Sequence, residues 1–172
     1  MTHLGIGMVE ITTGTGKIWT VLGSCVAIVF FNPRTKTGAI CHAQLPERNP
    51  HSNKCSDSCT NPCFDDQPED NEYKYVSCCF NYMLKTFNGK GIRNNEILCG
   101  IYGGSSIFGH YSENGTIGSN NTDIARKLIK KHKIKLFNDQ TEGNQGRKII
   151  FDAQTGEVEV RLLAKINETL KT

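Results

Sequence analysis

The stretch that decides the fold is Leu22-Gly23-Ser24-Cys25-Val26-Ala27-Ile28-Val29-Phe30-Phe31, in which a Gly-Ser turn runs into six consecutive apolar residues. A short apolar run bounded by turn residues is typical of a buried strand. Cys25 therefore lies where a tight turn enters the core. This position distinguishes it from the seven other cysteines of the chain.

A second apolar stretch ends at His42, 17 residues after Cys25. The segment Asn32-Pro33-Arg34-Thr35 lies between the two runs and has Asn and Pro where type I turns prefer them. In a hairpin centred on this turn the numbers of paired residues sum to 67. This register sets Cys25 directly opposite His42, with Cβ atoms about 4.5–5.5 Å apart. Side chains alternate along a strand, so Cys41 points to the other face and is interpreted as a core thiol.

A thiol and an imidazole brought together by the fold are the minimum for cysteine-based nucleophilic catalysis. The alternative interpretation is that Cys25 and His42 are two core residues that only face each other. The geometry of the hairpin alone leaves both interpretations open.

Bulk properties exclude several classes of protein. The 172 residues fit one domain, residues 1–172,. A net charge of +3 without an aromatic-rich basic run argues against nucleic-acid binding,. No apolar run approaches the roughly 20 residues that span a bilayer, and the N-terminus has no signal-peptide pattern. We therefore expect a cytoplasmic protein that is not embedded in a membrane and whose cysteines are reduced.

Periodicity predicts a mixture of strands and helices without a repeating βαβ unit. The fold class predicted is α+β, a layered α/β sandwich with mixed, largely antiparallel sheets. Cys78 and Cys79 fall on the buried face of a helix and are interpreted as packing residues. Strands are expected at residues 5–11, 17–22, 97–102 and within 134–163, and helices from about 75 to 89 and from 121 to 132.

A Cys-rich polar insertion is predicted at about residues 47–73, where prolines and acidic residues replace large apolar ones,. His51, Cys55, Cys59 and Cys63 recur there every four residues. Sulfur and imidazole suit zinc or an iron–sulfur cluster, but structural zinc sites usually use Cys-x-x-Cys pairs. A bound metal and a reduced thiol-rich loop both stay open, and neither a metal nor a cofactor is assigned.

Other motifs point to structure rather than chemistry. Gly14-Thr15-Gly16-Lys17 does not complete a phosphate-binding loop, because Ile18 stands where Ser or Thr is required,. It is interpreted as a turn. The remaining histidines are expected at the surface: His3, His110 and His132.

The residues that carry the nucleophile argument also carry a family resemblance. The run Thr20-Val21-Leu22-Gly23-Ser24-Cys25-Val26-Ala27, followed by Gly38-Ala39-Ile40-Cys41-His42-Ala43-Gln44-Leu45-Pro46, resembles the CheD family of chemoreceptor glutamine deamidases. The resemblance covers nearly the whole chain except residues 47–73. Further motifs follow in the family's order: Gly103-Gly104 with Phe108, Ile117-Gly118, and Thr141 to Arg147.

The resemblance implies hydrolysis of specific glutamine side chains on the cytoplasmic helices of methyl-accepting chemoreceptors, giving glutamate and ammonia. It implies a catalytic set of Cys25, His42 and Thr20. His42 is then expected to hold Cys25 as a thiolate. Backbone N–H groups near Ser24 are expected to stabilise the oxyanion that forms when the thiolate attacks the amide. Thr20 is expected to orient the imidazole.

Two features depart from the family's pattern, Glu142 where a Gly is usual and Asn120 where an Arg is usual. Two alternatives to the enzyme stay open. Family members also pair with the phosphatase CheC, so the chain is alternatively a regulator of that partner. The Cys-rich insertion alternatively makes it a metal or redox sensor.

Overall fold

The computed structural model of the protein describes residues 1–47, 73–107 and 115–165. This described part contains two α-helices, α1 (Val76–Gly89) and α2 (Ile117–Lys131). It contains nine strands: β1 (Thr2–His3), β2 (Met8–Thr13), β3 (Lys17–Leu22), β4 (Val26–Asn32), β5 (Thr37–His42), β6 (Leu98–Gly103), β7 (Lys135–Thr141), β8 (Arg147–Asp152) and β9 (Val158–Leu162).

The strands form two sheets, of order β1-β3-β8-β9 and β2-β5-β4-β6-β7. The pairs β1–β3 and β6–β7 are parallel and the other pairs are antiparallel. One core lies between the five-stranded sheet and the two helices, and a second core lies between the sheets. The predicted α+β sandwich with mixed, largely antiparallel sheets is confirmed.

Strand β4 is the centre of the molecule, and all seven of its residues are buried. It lies in the middle of the five-stranded sheet and contributes to both cores. This two-sided burial explains why its sequence is uniformly apolar instead of alternating. Its side chains alternate between the helix-side core (Val26, Ile28, Phe30) and the inter-sheet core (Ala27, Val29, Phe31).

The β4–β5 hairpin differs from its predicted register by two residues. Asn32 pairs with Thr37, so the numbers of paired residues sum to 69 and not 67. The connection has four residues, 33–36, because the Asn32 side chain accepts a hydrogen bond from the Thr35 N–H at 2.8 Å and Lys36 then adopts a left-handed φ of 52°. An Asn-initiated turn followed by a left-handed residue gives a four-residue loop instead of the predicted two-residue loop.

Helix α1 confirms the helix predicted to end near Gly89, and Cys78 and Cys79 are buried in it as predicted. Helix α2 begins four residues before the predicted start at residue 121. Thr116 accepts a hydrogen bond from the Ser119 N–H at 3.0 Å, and the Ser119 hydroxyl accepts from the Thr116 N–H at 2.9 Å. This reciprocal cap uses Ser in place of the usual Glu or Gln, which is why the pattern was missed.

Residues 48–72 of the predicted Cys-rich insertion, including His51, Cys55, Cys59 and Cys63, lie outside the described residues, as does His110. In the described part of the chain, neither helix has the length and apolar character needed to cross a membrane.

Truncation of the central strand is expected to destabilise the fold. The Phe30 ring is fully buried and packs edge-on against Phe80 at 5.3 Å and Phe87 at 5.7 Å between centroids. Phe30→Ala should lower the free energy of unfolding by about 3–5 kcal/mol in urea denaturation. Phe137→Ala is the matched control, because Phe137 is 72% exposed, and its effect should stay within about 0.5 kcal/mol. Equal effects of the two substitutions would contradict the central role of β4.

Candidate active site

His42 is held by a hydroxyl that reaches it from the opposite sheet. The imidazole Nδ1 lies 2.8 Å from Thr20 Oγ1 on β3, and both residues are buried. Thr20 Oγ1 also donates a hydrogen bond to the Leu4 carbonyl oxygen at 2.8 Å. A hydroxyl has one hydrogen, so Thr20 must accept from Nδ1, which therefore carries the ring proton. The lone pair of the neutral ring is then on Nε2.

The second ring nitrogen of His42 is left without a partner. Nε2 is buried and forms no hydrogen bond within the described part of the chain. Burial lowers the pKa of His42 below 6.5, the Leu4 carbonyl opposes part of this effect, and the nearby His3 lowers the pKa further. At pH 7 the ring is consequently neutral and presents a lone pair, as a general base requires.

Cys25 lies on the same face of the five-stranded sheet as His42. The pairing between β4 and β5 ends at the bridge between Val26 and Ala43. In this register His42 lies opposite Ala27. Cys25 is therefore a diagonal neighbour of His42. Diagonal residues across an antiparallel pair have Cα atoms about 7–8 Å apart. Cys25 packs against the inter-sheet core, whereas Cys41 lies in the helix-side core, as predicted. Because the register shift is an even number of residues, the faces are unchanged.

The nucleophile candidate is protonated at rest. Burial raises the pKa of Cys25 above 9.0, and its own backbone N–H opposes this only in part. Together with the lowered pKa of His42, this indicates a neutral thiol and a neutral imidazole on the same face of the sheet at pH 7. The expected resting thiolate is therefore not favoured, because desolvation penalises both charges. The pair instead suits transfer of the thiol proton during attack.

The turn before β4 is fixed by the loop that follows β6. The Ser105 N–H donates to the Gly23 carbonyl at 2.8 Å, and the Gly104 N–H donates to the Cys25 carbonyl at 2.8 Å. The N–H groups of Ser24 and Cys25 donate to no other residue's carbonyl among the described residues. Backbone N–H groups that are not used elsewhere, beside a nucleophile, are one requirement of an oxyanion hole.

Gly103 permits this close approach. A Cβ at Gly103 would lie 2.2 Å from the Cys25 carbonyl oxygen, and its φ of 102° also disfavours other residues. The Gly103-Gly104 pair that carried part of the family resemblance therefore has a physical role, because it lets the β6 loop contact the Cys25 turn.

Arg147 anchors the same loop from the inter-sheet side. Its guanidinium donates to Ser105 Oγ at 3.0 Å and to the carbonyl oxygens of Gln140 and Glu142. Burial lowers the pKa of Arg147. Neither Ser105 nor Arg147 is among the site residues predicted from the sequence. The available signal was periodicity, since Arg147 occupies a buried position of β8 where its alternate neighbours Ile149 and Phe151 are apolar.

Glu142, a departure from the family's pattern, has its own structural role. It adopts a left-handed φ of 64° in the turn before β8. Its carboxylate pairs with Arg126 on α2 at 2.6 Å. The substitution therefore exchanges glycine's conformational freedom for an ion pair on the rim.

Two other histidines in the described part of the chain were predicted at the surface. His3 is exposed, and its ring contacts Trp19 with 4.5 Å between centroids; it is also near enough to His42 to lower the pKa of that residue. His132 is partly exposed beside Phe80. Within residues 1–47, 73–107 and 115–165, no cluster of His, Cys, Asp or Glu is arranged to hold a metal. A cavity of about 550 Å³ opens between β7 and β9 and contains none of Thr20, Cys25 or His42.

A buried imidazole that shares a face with a thiol in a turn is an arrangement that nucleophilic acyl chemistry requires. Comparison with known proteins identifies the family. The family described as CheD chemotactic sensory transduction matches residues 60–162. The chain belongs to the CheD family.

Curated relatives align along nearly the whole chain. A protein from Geobacter sulfurreducens, named probable chemoreceptor glutamine deamidase CheD 2, is 32% identical over 97% of this chain and 91% of its own length. Proteins named probable chemoreceptor glutamine deamidase CheD are 31% identical in Nitratidesulfovibrio vulgaris, over 98% of this chain and 80% of the relative, and 31% identical in Pyrococcus horikoshii, over 92% and 90%.

The alkylation rate of Cys25 is expected to depend strongly on pH. The raised pKa predicts slow reaction with iodoacetamide at pH 7 and a rate that increases up to and beyond pH 9.0. Mass spectrometry of the Cys25 peptide separates it from the other cysteines. A rate that is already high and constant between about pH 5 and 7, as a preformed thiolate gives, would contradict the neutral pair.

Proposed function

We propose that the protein is a cysteine-dependent deamidase that hydrolyses specific glutamine side chains on the cytoplasmic helices of methyl-accepting chemoreceptors. The names of the relatives support the substrate class. The observation that carries the chemistry is the contact between Thr20 and His42 Nδ1, which leaves the Nε2 lone pair on the face of Cys25.

In the first step the Cys25 sulfur attacks the amide carbon of glutamine while His42 Nε2 takes the thiol proton. The carbonyl π-bond electrons move to oxygen and form a tetrahedral oxyanion. The N–H groups of Ser24 and Cys25 donate to this oxygen. Charge thus develops where donors are already in place, which is the largest usual source of acyl-transfer catalysis.

The second step releases ammonia. The imidazolium returns the proton through Nε2 to the departing nitrogen, the carbon–nitrogen bond breaks, and a thioester on Cys25 remains. His42 Nε2 then removes a proton from water, whose oxygen adds to the thioester carbon. Collapse of this intermediate breaks the carbon–sulfur bond, leaves glutamate, and returns the proton to Cys25. Glutamine and water give glutamate and ammonia, and the same steps would cleave a glutamyl methyl ester to methanol.

Thr20 acts through His42. Its hydroxyl holds the ring with the proton on Nδ1 and stabilises the imidazolium that forms in each step. The Leu4 carbonyl holds the hydroxyl in turn. This arrangement uses a neutral third member, so the imidazolium is stabilised less than beside a carboxylate, in keeping with the lowered pKa of His42.

Removal of the nucleophile or the base is expected to abolish activity. Cys25→Ala and His42→Ala should stop ammonia release and the one-dalton Gln-to-Glu change on co-expressed receptor, followed by mass spectrometry. Cys78→Ala, on α1, is the control and should retain activity. Full activity of either site variant would overturn the proposal. A wild-type protein that binds a CheC-type phosphatase without deamidating receptor would favour the regulatory alternative.

Loss of the Thr20 hydroxyl should slow the reaction without changing substrate binding. Thr20→Val leaves the Nδ1 proton without an acceptor, a loss of about 1–3 kcal/mol, so kcat should fall roughly 10–100-fold at similar KM. Thr20→Ser keeps the hydroxyl and should recover most of the rate. Equal rates for the Val and Ser variants would exclude the orienting role.

The kcat/KM of the wild type should decline only below pH 6.5, as His42 gains a proton.

A further inference from the structure

Asn121 joins the two segments that carry the reacting side chains. It lies in the N-terminal half of α2 and is fully buried. Its side-chain Nδ2 donates to the Ser24 carbonyl at 2.9 Å and to the Gln44 carbonyl at 3.0 Å. Ser24 immediately precedes Cys25, and Gln44 is two residues beyond His42.

These two carbonyls lie where the β4–β5 ladder stops. The last ladder bonds join Val26 and Ala43, at 2.9 and 2.8 Å. Beyond them the strands separate, and the carbonyls of Ser24 and Gln44 are bound by Asn121 instead of by each other's strand. Because both partners are acceptors, the amide must present its NH2 group, whose two hydrogens are then both used.

Helix α2 is docked closely enough to hold this amide in place. A Cβ at Gly118 would lie 2.5 Å from the Gly104 carbonyl oxygen, so the helix backbone touches the loop that binds the Cys25 carbonyl. Thr116 caps the helix just ahead of this contact. The donor at Asn121 is thus attached to a rigid support.

The amide is retained at an energetic cost. Asn121 Oδ1 is buried and has no hydrogen-bond partner among the described residues. An unsatisfied buried acceptor is energetically unfavourable. An apolar side chain of similar volume avoids this cost but leaves both carbonyls without donors, so the function of the residue resides in its NH2 group.

We propose that Asn121 is a positioning residue that sets the separation between the Cys25 turn and the end of the strand bearing His42. The inference rests on the proposed deamidase function for its kinetic consequence, whereas the clamp itself is a property of the resting protein. The clamp consists of the two hydrogen bonds from Asn121 Nδ2 to the Ser24 and Gln44 carbonyls. Without it, the turn and the strand end separate, and the Cys25 thiol moves away from His42 Nε2.

The test compares Asn121→Asp with the adjacent Asn120→Asp. Asp has the shape of Asn but places an oxygen where the two carbonyls need a donor. Asn120 is the matched control because it is only half-buried and the donor to both carbonyls is Asn121. For folded protein we expect Asn121→Asp to lower kcat at least tenfold with KM within twofold, and Asn120→Asp to leave kcat within twofold. Protonation of Asp supplies one donor, so the rate of Asn121→Asp relative to wild type should rise as pH falls. Unchanged kcat in the folded variant, or equal losses at the two positions, would overturn the inference.

A measurement without substrate keeps this outcome separate from that of the proposed function. Release of the turn should expose the half-buried thiol, so iodoacetamide should alkylate Cys25 at least fivefold faster in Asn121→Asp and in Asn121→Leu than in the wild type. Asn120→Asp should match the wild type. If the wild type deamidates no receptor, the deamidase proposal fails, and the alkylation rates alone test the role of Asn121. Equal alkylation rates in the wild type and the three variants would show that Asn121 does not hold the turn.

Discussion

The structure depends on the burial of β4 from both sides. One face of the strand requires the two helices and the other requires the second sheet, so neither layer can be removed without exposing apolar side chains to water. This constraint also places the site. The first residue before the strand, Cys25, must leave the core, and the loops that close the core around it supply its backbone contacts.

The candidate site is assembled from both sheets and from the α2 side of the molecule. The five-stranded sheet supplies Cys25 and His42, and the four-stranded sheet supplies Thr20. The β6 loop and α2 hold the carbonyl groups of the turn. Each contribution is modest as a single hydrogen bond. Their convergence on three consecutive residues is what distinguishes this turn from an ordinary connection between strands.

The buried strand and the shared face of Cys25 and His42 were predictable from the sequence, because both depend on local periodicity. The register error of two residues came from the side chain of Asn32, which local turn preferences do not resolve. The bond between Thr20 and His42 crosses from one sheet to the other, so no spacing within either strand predicts its geometry; the family resemblance alone pointed to Thr20. Asn121 was missed because its partner Ser24 is 97 residues away in the chain.

The position of Cys25 at the start of the central strand has a consequence for motion. Amide hydrogens along β4 should exchange with solvent only when the whole domain opens, because local fraying is confined to weakly packed segments. For the proposed deamidase, this rigidity means that adjustment on binding falls mainly to the substrate. Selectivity among glutamines then depends on which side chains a partner presents and how mobile they are.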